Sequence, residues 1–291
     1  MATLDAAELI AHVKDAPEFH IPVALWQLLP GALKGAHPHP GTIPLPQVDL
    51  FGYPLQITKL MVLELVVAVA LVAVFVPLAW RIRGGGRPRG RWWNLVEAML
   101  LFIRDEVARP AIGRHDADRF LPFLWTVFFF ILGCNLIGLL PWAGSPTGDW
   151  GCTAVLAIIS FTVVIGAGMA RHGPVGYWLG QVPHMELPLV MAVLIKPMVF
   201  VIEVIGLVIK HFVLSVRLLA NMFAGHLVLA VIVGFIGMAW DLNAVLWAGV
   251  TAVSVFGSVA ISLLELFVAL LQAYIFTFLS ALFVGMALHQ H

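Results

Sequence analysis

The stretch HFVLSVRLLANMFAGHLVLAVIVGF (residues 211–235) is apolar enough to lie in a bilayer, yet it carries an arginine, Arg217. Asn221 follows about one helical turn later, and His226 about two and a half turns later. An arginine at bilayer depth costs at least ~2.5–3.5 kcal/mol on insertion scales, so its default reading is functional. The fold is therefore read around membrane helices, and the function around Arg217.

Composition supports the membrane reading. Of 291 residues, 61% are hydrophobic and 11% charged, with a mean hydropathy of +0.99. Soluble domains carry about 25% charged residues. The formal net charge is zero, which points to neither nucleic acid nor an acidic substrate. Cys134 and Cys152 lack CxxC spacing and read as small buried hydrophobes, so neither a disulfide framework nor a zinc site is expected. The N-terminal MATLDAAELIAHVKDAPEFHIP has four acids and one lysine. It has the pattern of neither a signal peptide nor an Arg-rich transit peptide.

Residues 1–55 read as a polar head, and residues 56–291 as one membrane domain. LMVLELVVAVALVAVFVPLAW (60–80) is a first span, ending at a loop with five arginines between Arg81 and Arg91. The positive-inside rule makes that loop cytoplasmic and the head external. LVEAMLLFIRDEVARPAIG (95–113) is too charged to span. Leu95, Met99, Phe102, Ile103 and Val107 recur at helical spacing, which predicts an amphipathic helix on the inner membrane face. Arg109-Pro110 is its expected end. FLPFLWTVFFFILGCNLIGLLPW (120–142) and CTAVLAIISFTVVIGAGMA (152–170) are further spans, and parity puts the loop between them outside.

From Leu189 to Trp240, and again from Ala244 to Leu288, no clear polar loop interrupts the apolar pattern. As one helix the first run would be ~75 Å long, against a hydrocarbon core of ~30 Å. Each run is therefore a hairpin or a strongly inclined helix.

On a helix, Glu203, Lys210 and Arg217 recur at every seventh position and share a face, which Asn221 joins. His226 lies on the opposite face, ~13 Å further along. Glu265 and Gln272 are again seven apart on the last run. If the two long helices pack together, Glu265 can meet His226, and a carboxylate with an imidazole makes a proton relay. Arginine cannot relay protons, because it stays charged. A fixed positive charge instead favours the ionised form of a nearby carboxylic acid and repels hydronium. The alternative for Arg217 is a structural ion pair with Glu203 or Glu265. For His226, Asn221 and Gln272 it is interhelical hydrogen bonding.

SVRLLANMFAGHLVLAVI together with LELFVALLQAYIFTFLSALFV resembles the subunit a family of F-type ATP synthases. The resemblance spans roughly residues 56–290 and leaves the head unexplained. It implies that Arg217 faces a rotating ring of c subunits, with Asn221 in the shared R-L-x-x-N-M-x-A-G pattern. His226 and Glu265 fall on the family's paired polar positions, in the order of the mitochondrial type. Gln272 and Glu203 also match family polar positions. CNLIGLLPW with PTGDWGCT resembles the family's second-to-third span hairpin, which puts Asn135 and Asp149 near the outer access path. The resemblance further implies that the last two helices lie steeply tilted along the ring.

The expected fold is thus all-α and polytopic. It has about five membrane helices, the last two (189–240 and 244–288) long and tilted, plus one interfacial helix. The expected function is that of a non-enzymatic stator subunit with two offset proton half-channels and no cofactor. Partners would be the c-ring, peripheral-stalk b subunits and the lipid bilayer, with no nucleic acid. The expected location is a bacterial inner membrane, multi-pass, N-terminus outside and C-terminus cytoplasmic, with a mitochondrial inner membrane as the lesser alternative. The rival reading is a stand-alone ion channel or secondary transporter, whose internal repeats and broken helices the sequence does not display.

Overall fold

The computed structural model of the chain describes residues 18–20, 42–50, 53–83, 90–140, 144–182, 189–241 and 243–289. Most of the head, the glycine-rich part of the arginine loop, Pro141, His184, Pro188 and the terminal His291 lie outside these residues. The described part of the head forms two short antiparallel ladders. β1 (Glu18–His20) pairs with β2 (Thr42–Pro44), and β3 (Gln47–Leu50) pairs with β4 (Tyr53–Gln56) in the register Gln47↔Gln56 to Leu50↔Tyr53. The polar, proline-rich sequence gave no periodic signal for them.

The rest of the described chain is helical. In order come α1 (Lys59–Arg83), α2 (Arg91–Phe102), α3 (Arg109–Ile112), α4 (Ala117–Gly138), α5 (Trp150–His172), α6 (Pro174–Leu179), α7 (Leu189–Met238) and α8 (Ala244–Leu288). Five of them, α1, α4, α5, α7 and α8, are long and apolar enough to cross a membrane. Both long runs resolve as unbroken helices, of 50 and 45 residues. Pro197 sits inside α7 without ending it, as membrane helices tolerate. Helices more than twice the thickness of the hydrocarbon core stay in it only when inclined. Between them lies a single 3₁₀ turn, Ala239–Asp241. Asn243 then caps α8, its Oδ1 accepting the Leu246 N–H at 3.0 Å.

The amphipathic segment runs further than its sequence suggested. α2 passes into a π-helical turn, Ile103–Ala108, and then into α3. Pro110 does not stop it. The Arg109 N–H bonds the Arg104 carbonyl, a wide π turn, and Pro110 enters where the pitch returns to α, so its missing N–H breaks no regular ladder. The stop is Gly113, whose φ of 99° suits glycine. Arg104 grips Asp105 through Nε (3.0 Å) and Nη2 (3.2 Å), and Arg109 Nη1 donates to the same carboxylate at 2.7 Å. The hydrogen bond from Arg104 holds the Asp105 carboxyl below the usual carboxylate range.

The chain divides into two compact units: Met1–Ala73, Leu132–Asp149 and Leu219–Leu270 form one, and Val74–Ile131, Trp150–Leu218 and Leu271–His291 the other. In the first, Leu60 and Leu63 of α1 pack against Ile137 of α4. Gly133 lets α4 close on Val67, where a Cβ would lie 2.7 Å from Val67 Cγ1. In the second, Ile103, Leu124, Val164, Leu214, Phe276 and Val284 are fully buried. Ser160 and Ser280 hydrogen-bond at 2.9 Å. The Tyr177 ring lies on Gly168, where no side chain fits. Cys134 is buried and Cys152 half-buried, and neither is in a disulfide.

Burial differs among the spans. Half of α4's most apolar window is buried within the chain, against 17% for α7 and 11% for α8. The two longest helices therefore turn most of their apolar surface towards lipid or towards other proteins.

Candidate functional site

Arg217 lies just past the middle of α7. Its neighbours Leu214, Ser215 and Leu218 are buried. Its Nε and Nη2 are themselves buried and have no hydrogen-bond partner among the described residues. No ion pair to Arg217 occurs among the described residues either, so the structural ion pair with Glu203 or Glu265 is not seen there. Because α7 is unbroken, the seven-residue spacing of Glu203, Lys210 and Arg217 is a true helical face. Glu203 is half-buried and Lys210 exposed. Gln272, on α8 of the same unit, is 1% exposed.

The first unit gathers His226, Glu265 and Asn135. His226 Nδ1 faces the Met222 carbonyl at 2.8 Å, and Nε2 faces the Gly138 carbonyl, also at 2.8 Å. Gly138 is the last residue of α4, so its carbonyl belongs to the unsatisfied C-terminal set of that helix. A neutral imidazole has one N–H and can donate to only one of these oxygens; the imidazolium donates to both. The C-terminal end of a helix also favours positive charge. His226 is thus held between two carbonyl oxygens, one from its own helix and one from the end of α4.

Glu265 lies within electrostatic reach of His226. The two are not hydrogen-bonded, and Glu265 Oε1 is buried without a partner among the described residues. What brings the carboxylate to α7 is Gly225. A Cβ there would fall on Glu265 Oε1 and within 3.0 Å of Cδ and 3.1 Å of Cγ. Gly225 closes the R-L-x-x-N-M-x-A-G pattern, but the sequence alone gave it no role, although a helix-interior glycine beside the half-buried His226 costs about 1 kcal/mol relative to alanine and was a usable signal.

Asn135 is fully buried and engaged at both ends of its amide. Its Nδ2 donates to the Ala269 carbonyl at 3.2 Å, and its Oδ1 accepts from Thr147 Oγ1 at 2.6 Å. With the Thr147 hydrogen so used, Ser145 Oγ donates to Thr147 Oγ1 at 2.7 Å. Ala269 is one turn past Glu265, so this chain ties the 144–149 loop and α4 to the helix that carries the carboxylate. Asp149 is half-buried just after the 3₁₀ turn Pro146–Gly148, its N–H on the Pro146 carbonyl at 3.2 Å. Asn221 is exposed on α7. Among the predicted residues, Arg217, Glu203 and Gln272 belong to the second unit, and Asn135, Asp149, Asn221, His226 and Glu265 to the first.

A histidine outside the predicted site is buried in the second unit. His211, 3% exposed, bonds the Leu207 carbonyl through Nδ1 at 2.9 Å. It lies between Phe161 and Phe283, at ring distances of 5.2 and 5.0 Å. This packing fixes the α7 face one to two turns before Arg217.

Comparison with known proteins gives a consistent result. A family model described as ATP synthase A chain matches residues 61–285. A Myxococcus xanthus protein, ATP synthase subunit a, is 37% identical over 283 residues, covering 96% of this chain and 88% of the relative. The Chloroherpeton thalassium protein of that name is 39% identical over 250 residues, 85% of this chain and 71% of its own length. An ATP synthase subunit a 2 from Chlorobium luteolum is 43% identical over 253 residues, 85% and 70% of the two chains.

Proposed function

We propose that this chain, which belongs to the ATP synthase A chain family, passes protons through two offset half-channels to and from a rotating ring of c subunits. It is a proton-translocating stator subunit of a multisubunit ATP synthase and a multi-pass membrane protein, and it catalyses no covalent step itself. We place it in a bacterial inner membrane, with residues 1–55 as an external head, 56–291 as the membrane domain and the C-terminus cytoplasmic. The arginines at 81–91 and the bacterial relatives support that reading.

Protons enter from outside and are held at His226, whose two ring nitrogens face carbonyls, and at the Glu265 carboxylate beside it. Asp149 lies towards the entrance. Asn135 holds the wall, since both ends of its amide are already bonded. From Glu265 the proton passes to a ring carboxylate. After nearly a full turn that carboxylate meets Arg217, whose permanent charge favours the ionised form and expels the proton inward, past Glu203. Asn221 and Gln272 orient the polar groups on either side of Arg217. The membrane potential drives the cycle with about 2.3 kcal/mol per charge per 100 mV. The peripheral-stalk b subunits hold the stator still, and the amphipathic segment 95–113 is their contact.

The observation that carries this reading is Arg217 itself, whose two buried guanidinium nitrogens have no acceptor among the described residues. Buried donors are paired as a rule, and a passing carboxylate supplies the acceptor. A self-contained transporter with discontinuous helices at its site fits less well, because α7 is continuous through Arg217. The test is Arg217→Ala in inverted vesicles, with assembly checked by blotting. Lost ATP-driven acidification with passive proton flow retained after stripping the soluble sector is the expected result. Normal pumping by the assembled variant refutes the gate.

A further inference from the structure

A cleft of about 390 Å³ opens in the second unit, where the start of α4 meets the end of α5. Its rim carries Arg119, Arg171 and Asp116, and its floor is made by Gly166, Ala167 and Ala170. Arg119 is in the first turn of α4 and Arg171 in the last turn of α5, so two antiparallel spans bring both cations to one membrane boundary. By the arginine count that boundary is the cytoplasmic one. Both arginines are exposed, and neither has an ion pair among the described residues. Asp116 is engaged only loosely, 3.4 Å from the solvent-facing His115. Below the charges the floor is apolar and open, since a Cβ on Gly166 would meet nothing within 4 Å.

We propose that this cleft binds one anionic phospholipid with a hydroxyl-bearing headgroup, of the phosphatidylglycerol class. The two guanidinium groups take the phosphate, whose oxygens match their paired donors. Asp116 would repel a bare phosphate, but it accepts from headgroup hydroxyls placed beyond it. The small-residue floor takes the first carbons of an acyl chain, as the bilayer setting requires. Basic clusters at the cytoplasmic ends of membrane helices recognise anionic headgroups by the same physics. Nothing in the proton path uses these residues, so the site is separate from Arg217 and from His226–Glu265.

The test uses the assembled complex reconstituted in phosphatidylcholine vesicles with graded amounts of a phosphatidylglycerol carrying a photoactivatable acyl chain. Cross-linked peptides covering 163–170 are quantified. The amount of phosphatidylglycerol needed for half-maximal labelling should rise about thirtyfold in R119Q/R171Q, on the order of fivefold per basic side chain lost. R119K/R171K should recover most of it. Gly166→Leu, which fills open space without changing charge, should depress labelling at every lipid fraction and serves if the double variant fails to assemble. Labelling unaffected by R119Q/R171Q and by Gly166→Leu overturns the site. So does equal labelling by a phosphatidylcholine probe. Displacement of the lipid by inorganic phosphate would assign the arginines to a soluble anion instead, and would also overturn it.

Discussion

Gly225→Ala is the sharpest test of the Glu265 placement. The added methyl would land on Oε1 of Glu265 and within 3.0 Å of its Cδ. In a helix interior, alanine for glycine gains about 1 kcal/mol, while overfilling a packed contact costs about 1–3 kcal/mol. The atom struck is the end of a flexible side chain, so the carboxylate yields rather than the backbone, and the fold survives. The cost then falls on the working position of the carboxylate. That cost of about 1–3 kcal/mol leaves roughly five- to 160-fold fewer carboxylates in place. Passive proton flow through stripped inverted vesicles should therefore drop by about that factor, with the subunit still assembled by blotting. The pair Gly225→Ala with Glu265→Asp shortens the acid by one methylene and should recover part of the flow. An assembled Gly225→Ala subunit that conducts at the unmodified rate would show that Glu265 need not sit where α7 holds it.

His226→Ala removes the proton-holding ring and should slow proton flow more than it lowers assembly; pumping at the unmodified rate would remove His226 from the path. Thr147→Val keeps the shape but leaves buried Asn135 Oδ1 without its donor. That should destabilise by about 1–3 kcal/mol, read as a lowered thermal midpoint of the solubilised complex, while flow per assembled complex stays unchanged. A loss of flow without loss of stability would make Asn135 a conductor rather than a strut. Asp105 has a lowered carboxyl pKa because Arg104 donates to its ionised form, with Arg109 adding charge. A lowered folded-state pKa contributes stability above the unfolded value, and that stability is lost as pH falls through the folded one. Resistance of the 91–112 segment to proteolysis should thus be full above about pH 4 and decline as pH falls below it, and Asp105→Asn should abolish this pH dependence.

The membrane fold was legible because its signal is coarse. Apolar runs of about 20 residues need no tertiary context to be recognised, and all five spanning helices sit where hydropathy put them, with ends moved by a few residues. The choice between hairpin and single helix for 189–240 was not legible from length alone. It depended on whether Pro197 and the glycines of the run would break the helix, and in an apolar setting they do not. The two ladders of the head were invisible because their strands are three or four residues long, too short for a period-2 pattern to stand out. The end of the amphipathic helix was misjudged at Pro110 because a π turn changes what proline costs.

At the site, legibility followed solvation cost. Arg217, His226 and Glu265 announce themselves because each is expensive in an apolar run, and an expensive residue needs a reason. Thr147 and Ser145 carry no such cost, Gly225 costs only its weak helix propensity, and the place of all three is read only once neighbours are known. Gly225 matters because Glu265 reaches α7 there, 40 positions later in the chain. Thr147 matters because Asn135, itself fully buried, would lack a donor without it. The expensive groups are those to which proton chemistry is assigned, and the cheap ones set where those groups stand. A substitution of the first kind should therefore alter the chemistry of transfer, and one of the second kind its geometry. Glu265→Gln deletes an ionisable group and no shortening of a neighbour can restore it, whereas Gly225→Ala only displaces that group and Glu265→Asp can.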